Sequence, residues 1–197
     1  MTTVLALLGS PRPDGNNGRA MEAVLRGAAA AGKLEVRKML LNQLTIKPCQ
    51  GCHRCLHTGR CVIRDDMDAV YDGLLTMDAF LLAAPIYFSG LSAQAKVMID
   101  RCQPFWAARF ARKTDLFSGR KRSGLLILTG GQPAYDGQFS GSQAVVKLLY
   151  KMIGVQSVGD FLAADIEARP MAQRPTDLAE LFSLGQRLNR DGASAVE

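Results

Sequence analysis

Long apolar runs are missing from this sequence. The longest, Ala79 to Phe88, is about half the ~20 residues that a membrane-spanning helix requires. No leader is evident either: Met1-Thr2-Thr3-Val4-Leu5-Ala6-Leu7-Leu8-Gly9 has no basic stretch and no small-residue cleavage site, so it reads as a strand and a cytoplasmic location is expected. Internal repeats, low-complexity tracts and domain linkers are absent, which leaves residues 1–197 as one domain. Phosphate-binding signatures of the Walker A type and of the G-x-G-x-x-G type are absent too. With 48% apolar and 21% charged residues and a mean hydropathy of +0.03, fibrous, collagen-like and disordered chains are excluded.

The net charge is +6, and it comes from one segment. Between residues 101 and 122 stand Arg101, Arg109, Arg112, Lys113, Arg120, Lys121 and Arg122 against the single acid Asp115. The rest of the chain is neutral. Such a segment suits a phosphate or an acidic protein partner, or it is a solvated helix face and loop. Nucleic acid is not expected, because the nearby rings Phe105, Trp106, Phe110 and Phe117 are spaced for helix packing rather than base stacking.

Four of the five cysteines, Cys49, Cys52, Cys55 and Cys61, fall in one short segment with the spacing C-x2-C-x2-C-x5-C. Bridges between such close neighbours would constrain little, and a reducing compartment would open them. Ligation is the better expectation for a loop covering 48–64. Four thiolates in one loop can surround a [4Fe-4S] cubane, whereas structural zinc usually joins two separated knuckles. Zinc and free thiols stay open as alternatives. His53 and His57 could substitute as ligands or simply be solvated. Cys102 has the setting of a small core residue.

Along the chain, short apolar runs alternate with helical periodicity. Strands are expected at 4–9, 34–41, 79–84, 124–129 and 155–163. Between and after them come helices marked by Met21, Val24, Leu25 and Ala28, ending near Gly32; by Met67, Val70, Leu74 and Leu75, capped by Asp65 or Asp66; by the stretch 95–102; by Val145, Leu148, Leu149 and Met152; and by Leu178, Leu181, Phe182 and Leu188. Five short apolar strands alternating with five amphipathic helices require an α/β fold with a doubly wound parallel sheet. The flavodoxin-like order 2-1-3-4-5 is expected, with ligands beyond the carboxyl ends of strands one, three and four.

Those three ends carry suitable chemistry. After strand one, Ser10, Arg12, Asn16, Asn17 and Gly18 feed a helix N-terminus, where free amides and the helix dipole favour a terminal monophosphate. Beyond strand three, Pro85, Ile86, Tyr87, Phe88 and Ser89 can place an aromatic side chain and backbone amides beside a flat ring. Thr129, Gly130 and Gly131 close the crevice, the glycines permitting close approach.

With Gly9-Ser10-Pro11-Arg12, Gly15-Asn16, the motif from Cys49 to Cys55 with Cys61, Asp65-Asp66-Met67, Pro85-Ile86-Tyr87-Phe88, Lys96 and Ile99-Asp100-Arg101, the sequence over roughly residues 4–165 resembles the NADPH-dependent FMN reductase superfamily, and within it the iron-sulfur flavoproteins. The resemblance implies a flavodoxin-like fold, FMN with its phosphate on the first loop, and homodimers or tetramers. Cys49, Cys52, Cys55 and Cys61 would hold the cluster, and electrons would pass between FMN, cluster and a ferredoxin-like redox protein. Two alternatives remain: an NAD(P)H-dependent FMN or quinone reductase without a cluster, serving a small-molecule acceptor, and a non-catalytic electron carrier or zinc module. One departure from the family pattern is Asn17-Gly18 where Thr or Ser usually follows Gly-Asn, so an amide would replace a phosphate-binding hydroxyl.

Overall fold

The computed structural model describes residues 1–193. Its elements run β1 (Thr2–Leu8), α1 (Asn16–Ala31), β2 (Leu34–Leu40), α2 (Arg54–Thr58), α3 (Met67–Thr76), β3 (Ala79–Tyr87), β4 (Gly90–Leu91), α4 (Ala93–Asp100), α5 (Gln103–Trp106), β5 (Ser123–Thr129), α6 (Ser140–Met152), β6 (Gln156–Ala163) and α7 (Pro175–Ala193). A π-helical turn, Ala107–Ala111, continues α5. The parallel strands lie in the order β2-β1-β3-β5-β6, while β4 pairs antiparallel with the end of β3. Apart from that two-residue addition, this is the expected flavodoxin-like order.

Alternation inside the continuous apolar runs divides the core in two, as a parallel sheet covered on both faces requires. Leu5, Leu7, Phe80, Leu82, Leu126 and Leu128 face Val70 and Leu74 of α3, Met98 of α4 and Leu149 of α6. On the other face Val4, Ala6, Leu81, Leu125 and Ile127 meet Met21 and Val24 of α1 and Leu181 and Leu188 of α7. The two helices on that face touch backbone to backbone. A Cβ on Gly27 would stand 1.9 Å from Phe182 O, and one on Gly185 would stand 2.0 Å from Val24 O.

Three expectations need correction. Leu75 and Leu148 are exposed; α3 buries Met67, Val70, Gly73 and Leu74, and α6 buries Val146, Leu149 and Tyr150. Adjacent leucines stand about 100° apart on a helix, so only one of each pair can face the sheet. The third strand continues through Pro85 to Tyr87, because Pro85 still pairs with Thr129 and the chain then folds back onto β4.

Candidate functional site

Beyond β1 the chain forms a tight loop over the start of α1. The Arg12 amide donates to Ser10 Oγ at 3.2 Å and the Gly15 amide to Arg12 O at 3.1 Å. Pro13 O lies so close to Gly18 that a Cβ there would stand 1.7 Å from it, so glycine is required at this point of the helix. The amides of Asn16, Asn17 and Gly18 precede the first helical hydrogen bond, Arg19 N to Gly15 O at 2.9 Å. No acid occupies the first turn of α1, and exposed Arg12 is in no ion pair among the described residues. The result is a positive pole whose first amides lie outside the helical hydrogen-bond ladder.

Both asparagine side chains turn into the protein. Asn16 donates to Ile166 O at 3.4 Å and accepts from the Met171 amide at 2.9 Å, tying α1 to the segment after β6. Asn17 Nδ2 donates to Thr129 Oγ1 at 2.8 Å, and its buried Oδ1 has no partner. The amide expected to stand in for a phosphate-binding hydroxyl is therefore engaged with Thr129 instead.

The second and third loops meet this rim. Ser92 Oγ donates to Gly9 O at 2.7 Å and joins the start of α4 to the first loop. At the β3–β4 turn Phe88 and Ser89 have φ of 50° and 59°. A pair of left-handed residues fits a tight hairpin, but Asn-Gly is the usual occupant and a bulky residue there is strained by about 1 kcal/mol or more. Phe88 is fully exposed and Tyr87 half-exposed, and Ser89 Oγ lies 2.9 Å from Tyr135 OH. Gly130 and Gly131 serve packing of the chain itself: a Cβ would stand 2.7 Å from Gln138 Nε2 and 2.9 Å from Glu167 Oε1, respectively. Gln138 is buried, donates to Gln132 O at 3.3 Å and leaves Oε1 without a partner. Tyr135, Gln138 and Ser92 were not singled out from sequence; only the N-cap position of Ser92 carried a local signal.

The cysteine loop is fastened at its base. Asp65 accepts the Lys47 amide at 2.9 Å and the Met67 amide at 3.1 Å, and Asp66 accepts the Thr45 amide at 2.7 Å. Arg101, fully buried at the end of α4, binds Asp65 through two nitrogens at 2.7 and 3.2 Å and reaches Lys47 O and Ile63 O on the two sides of the loop. Burial alone would raise the Asp65 pKa, but the guanidinium and the two amides outweigh it and hold the carboxyl below its usual range. Above this base Cys49, Cys52, Cys55 and Cys61 line one open cavity of about 540 Å³. Cys55 is raised by burial and by the other three thiols, whose ionised forms would repel it. Among the described residues no three His, Cys, Asp or Glu side chains stand in metal-holding geometry. The donor set is gathered, with the thiols apart. His53 lines the same cavity, while His57 sits exposed in the last turn of α2. Cys102 is a core thiol, pushed up to about 12 by burial.

The basic segment is not one surface. Arg101 is the clamp just described. Arg122 is buried, donates to Leu74 O, Leu75 O and Ile153 O at the C-terminal ends of α3 and α6, and stacks 4.2 Å from the Phe117 centroid. Burial, then nearby Arg120, brings its pKa down to about 10. Arg120 binds Asp78 at 3.2 Å and two carbonyls of α3. Phe105 and Phe117 are buried as expected, but Trp106 and Phe110 form an exposed pair 5.4 Å apart.

Known proteins resemble this chain in sequence and in fold. The chain is 37% identical over 101 residues to an iron-sulfur flavoprotein of Methanocaldococcus jannaschii, covering 51% of this chain and 52% of that one. It is 40% identical over 101 residues to an iron-sulfur flavoprotein of Archaeoglobus fulgidus, covering 51% and 46%. The chain thus spans about half the length of the curated relatives it matches. In fold it is similar to an NAD(P)H:quinone oxidoreductase from Methanothermobacter marburgensis, with a TM-score of 0.74 at 17% identity over 95% of this chain and 96% of that one. A flavone reductase gives 0.72 at 17% identity over 98% and 63%. A profile of the NADPH-dependent FMN reductases matches residues 2–167, and the chain belongs to that family.

Proposed function

We propose that the chain is an FMN-dependent oxidoreductase of the iron-sulfur flavoprotein type, taking electrons from NAD(P)H and passing them to a redox partner. Four thiols around one cavity carry this reading. Their loop follows β2, whose carboxyl end lies on the same side of the parallel sheet as those of β1 and β3, so the thiols and the flavin rim share one edge. The named relatives supply the precedent for a cluster.

The FMN phosphate is assigned to the loop of Ser10 and Arg12 and to the amides of Asn16, Asn17 and Gly18. The ring is assigned to the crevice between Pro85, Ile86, Tyr87, Phe88, Ser89 and Thr129, Gly130, Gly131. The fit is supported by the Arg12 guanidinium, which lacks an acid, and by two buried acceptors without partners, Asn17 Oδ1 and Gln138 Oε1. When bound, FMN supplies two-electron and one-electron chemistry, and a [4Fe-4S] cluster held by Cys49, Cys52, Cys55 and Cys61 supplies one-electron transfer. The chain itself holds the phosphate at a helix N-terminus, fixes the two loops through Asn17–Thr129 and Ser92–Gly9, and fastens the thiol loop through Arg101–Asp65. A second copy covering the exposed Phe88 hairpin accounts for a homodimer or a dimer of dimers. The location is proposed to be cytoplasmic; no helix among the described residues is long and apolar enough to cross a membrane.

A cluster-free NAD(P)H:quinone reductase is the second reading, favoured by the quinone oxidoreductase of like fold. Cys61→Ser separates the two. In the proposed enzyme NADPH still reduces the flavin and a two-electron quinone acceptor, whereas reduction of a one-electron protein acceptor is lost. Retention of both activities leaves the quinone reductase.

A further inference from the structure

Cys61 lines two cavities. One is the cavity shared by the four cysteines; the other, of about 600 Å³, lies between the turn at residues 58–61, the outer face of α3 and the segment that follows α5. Its apolar lining comes from Tyr71, Leu75, Pro104, Phe105 and Leu116, with the Tyr71 and Phe105 rings edge to face at 5.9 Å. Its charged lining is three guanidiniums, Arg60, Arg64 and Arg112, against the carboxylates of Asp68 and Asp72. Arg64 pairs with Asp68 at 3.4 Å. Arg60 and Arg112 are in no ion pair among the described residues. Arg112 is nevertheless placed: its Nη1 would stand 1.6 Å from a Cβ on Gly59, which has a left-handed φ of 72° and closes α2. The glycine turn therefore seats one cation against the backbone that leads into Arg60, and both guanidiniums line the cleft without a carboxylate partner among the described residues.

We propose that this cleft is a binding site for a flat aromatic monoanion, such as an aromatic carboxylate or sulfonate, with its rings over the Tyr71–Phe105 floor and its charge between Arg60 and Arg112. The net charge of the lining, one positive after Asp72 is counted, selects a monoanion over a polyphosphate. A charge-assisted contact to a guanidinium and burial of the rings act together, and neither a neutral aromatic nor a bare anion obtains both. The ligand lies against Cys61, at the wall of the thiol cavity. The proposal goes beyond the reading above and holds whichever species the cysteines carry.

Calorimetric titration of the protein as isolated with 2-naphthalenesulfonate and with the neutral, equally shaped 2-naphthalenesulfonamide tests it. The sulfonate saturates one site per chain, and the sulfonamide binds roughly tenfold or more weakly, as loss of a charge-assisted contact requires. In the Arg60→Gln/Arg112→Gln double variant that preference disappears while bound FMN per chain is unchanged. Asp72→Asn strengthens sulfonate binding, and Leu75→Trp, a change at an exposed position, weakens both ligands by filling the floor. Should the double variant fail to fold, the opposite effects of Asp72→Asn and Leu75→Trp still decide. Equal affinity for the two probes, no saturable binding, or a preference that survives removal of the guanidiniums or ignores Asp72 would overturn the proposal.

Discussion

At the rim of β1, β3 and β5 polar side chains tie the loops together: Asn16 bonds backbone of the segment after β6, Asn17 bonds the Thr129 hydroxyl, and Ser92 bonds Gly9 O. The cysteine loop on the same sheet edge is fastened at its base, where Asp65, Asp66 and Arg101 close residues 45–66, while Cys49 and Cys52 stand exposed. The first region presents backbone amides fixed at a helix end; the second presents four thiols that, in the function proposed above, a cluster would draw together. The difference follows from chemistry. A phosphate needs fixed dipoles, which a helix and a tight loop supply in advance, whereas four thiolates repel until a cation gathers them.

Arg101→Ala breaks the comparison most severely. It leaves the Asp65 carboxylate buried without its cation, and a buried pair broken this way costs about 3–5 kcal/mol. The urea midpoint should fall accordingly and iron retention should be lost, while FMN still binds the folded fraction. Arg12→Ala acts at the other region alone. Removing one charged hydrogen bond to phosphate, worth roughly 1.5–3 kcal/mol, lowers FMN affinity about ten- to a hundredfold. Fluorescence titration measures this, and iron content should not change.

Thr129→Val sharpens the account of the rim. It removes the acceptor of Asn17 Nδ2 in a buried setting and should cost about 1–2 kcal/mol of stability, read as a lower thermal midpoint. Acid gives the mildest effect. Because the Asp65 pKa is held below its unfolded value, its contribution is complete above the ordinary carboxylate range, about pH 4. It is lost as pH falls through the lower folded value. Amide exchange in residues 45–66 should therefore accelerate below that range before exchange in β1 does, and Asp65→Asn should abolish the pH dependence of that step.

The central strands β1, β3 and β5 were legible because two-sided burial writes them as unbroken apolar runs such as Ala79–Ala84, whereas the edge strands β2 and β6 are exposed at half or more of their positions. Helix α1 was legible because Met21, Val24 and Ala28 keep helical spacing up to Gly32. Doubled leucines were not, since Leu74–Leu75 and Leu148–Leu149 fit two faces equally and only the packed sheet chooses. Spacing displayed the cysteine set directly. What Asn16 and Asn17 do was hidden, because their partners Met171 and Thr129 lie 155 and 112 residues away. Net charge likewise treats Arg101 and Arg122 as surface cations, although both are buried and bound to carbonyls or a carboxylate.

Chemical analysis of anaerobically purified protein for iron, acid-labile sulfide and FMN tests the central claim most directly. About four irons, four sulfides and one FMN per chain are expected, as a four-thiolate cubane beside one flavin site requires. Each of Cys49→Ser, Cys52→Ser, Cys55→Ser and Cys61→Ser should lower iron and sulfide but not FMN, and Cys102→Ser should lower none of the three. Stoichiometric zinc without sulfide, or four titratable free thiols in protein never exposed to oxygen, would contradict the cluster and leave the flavin rim as the whole of the redox machinery.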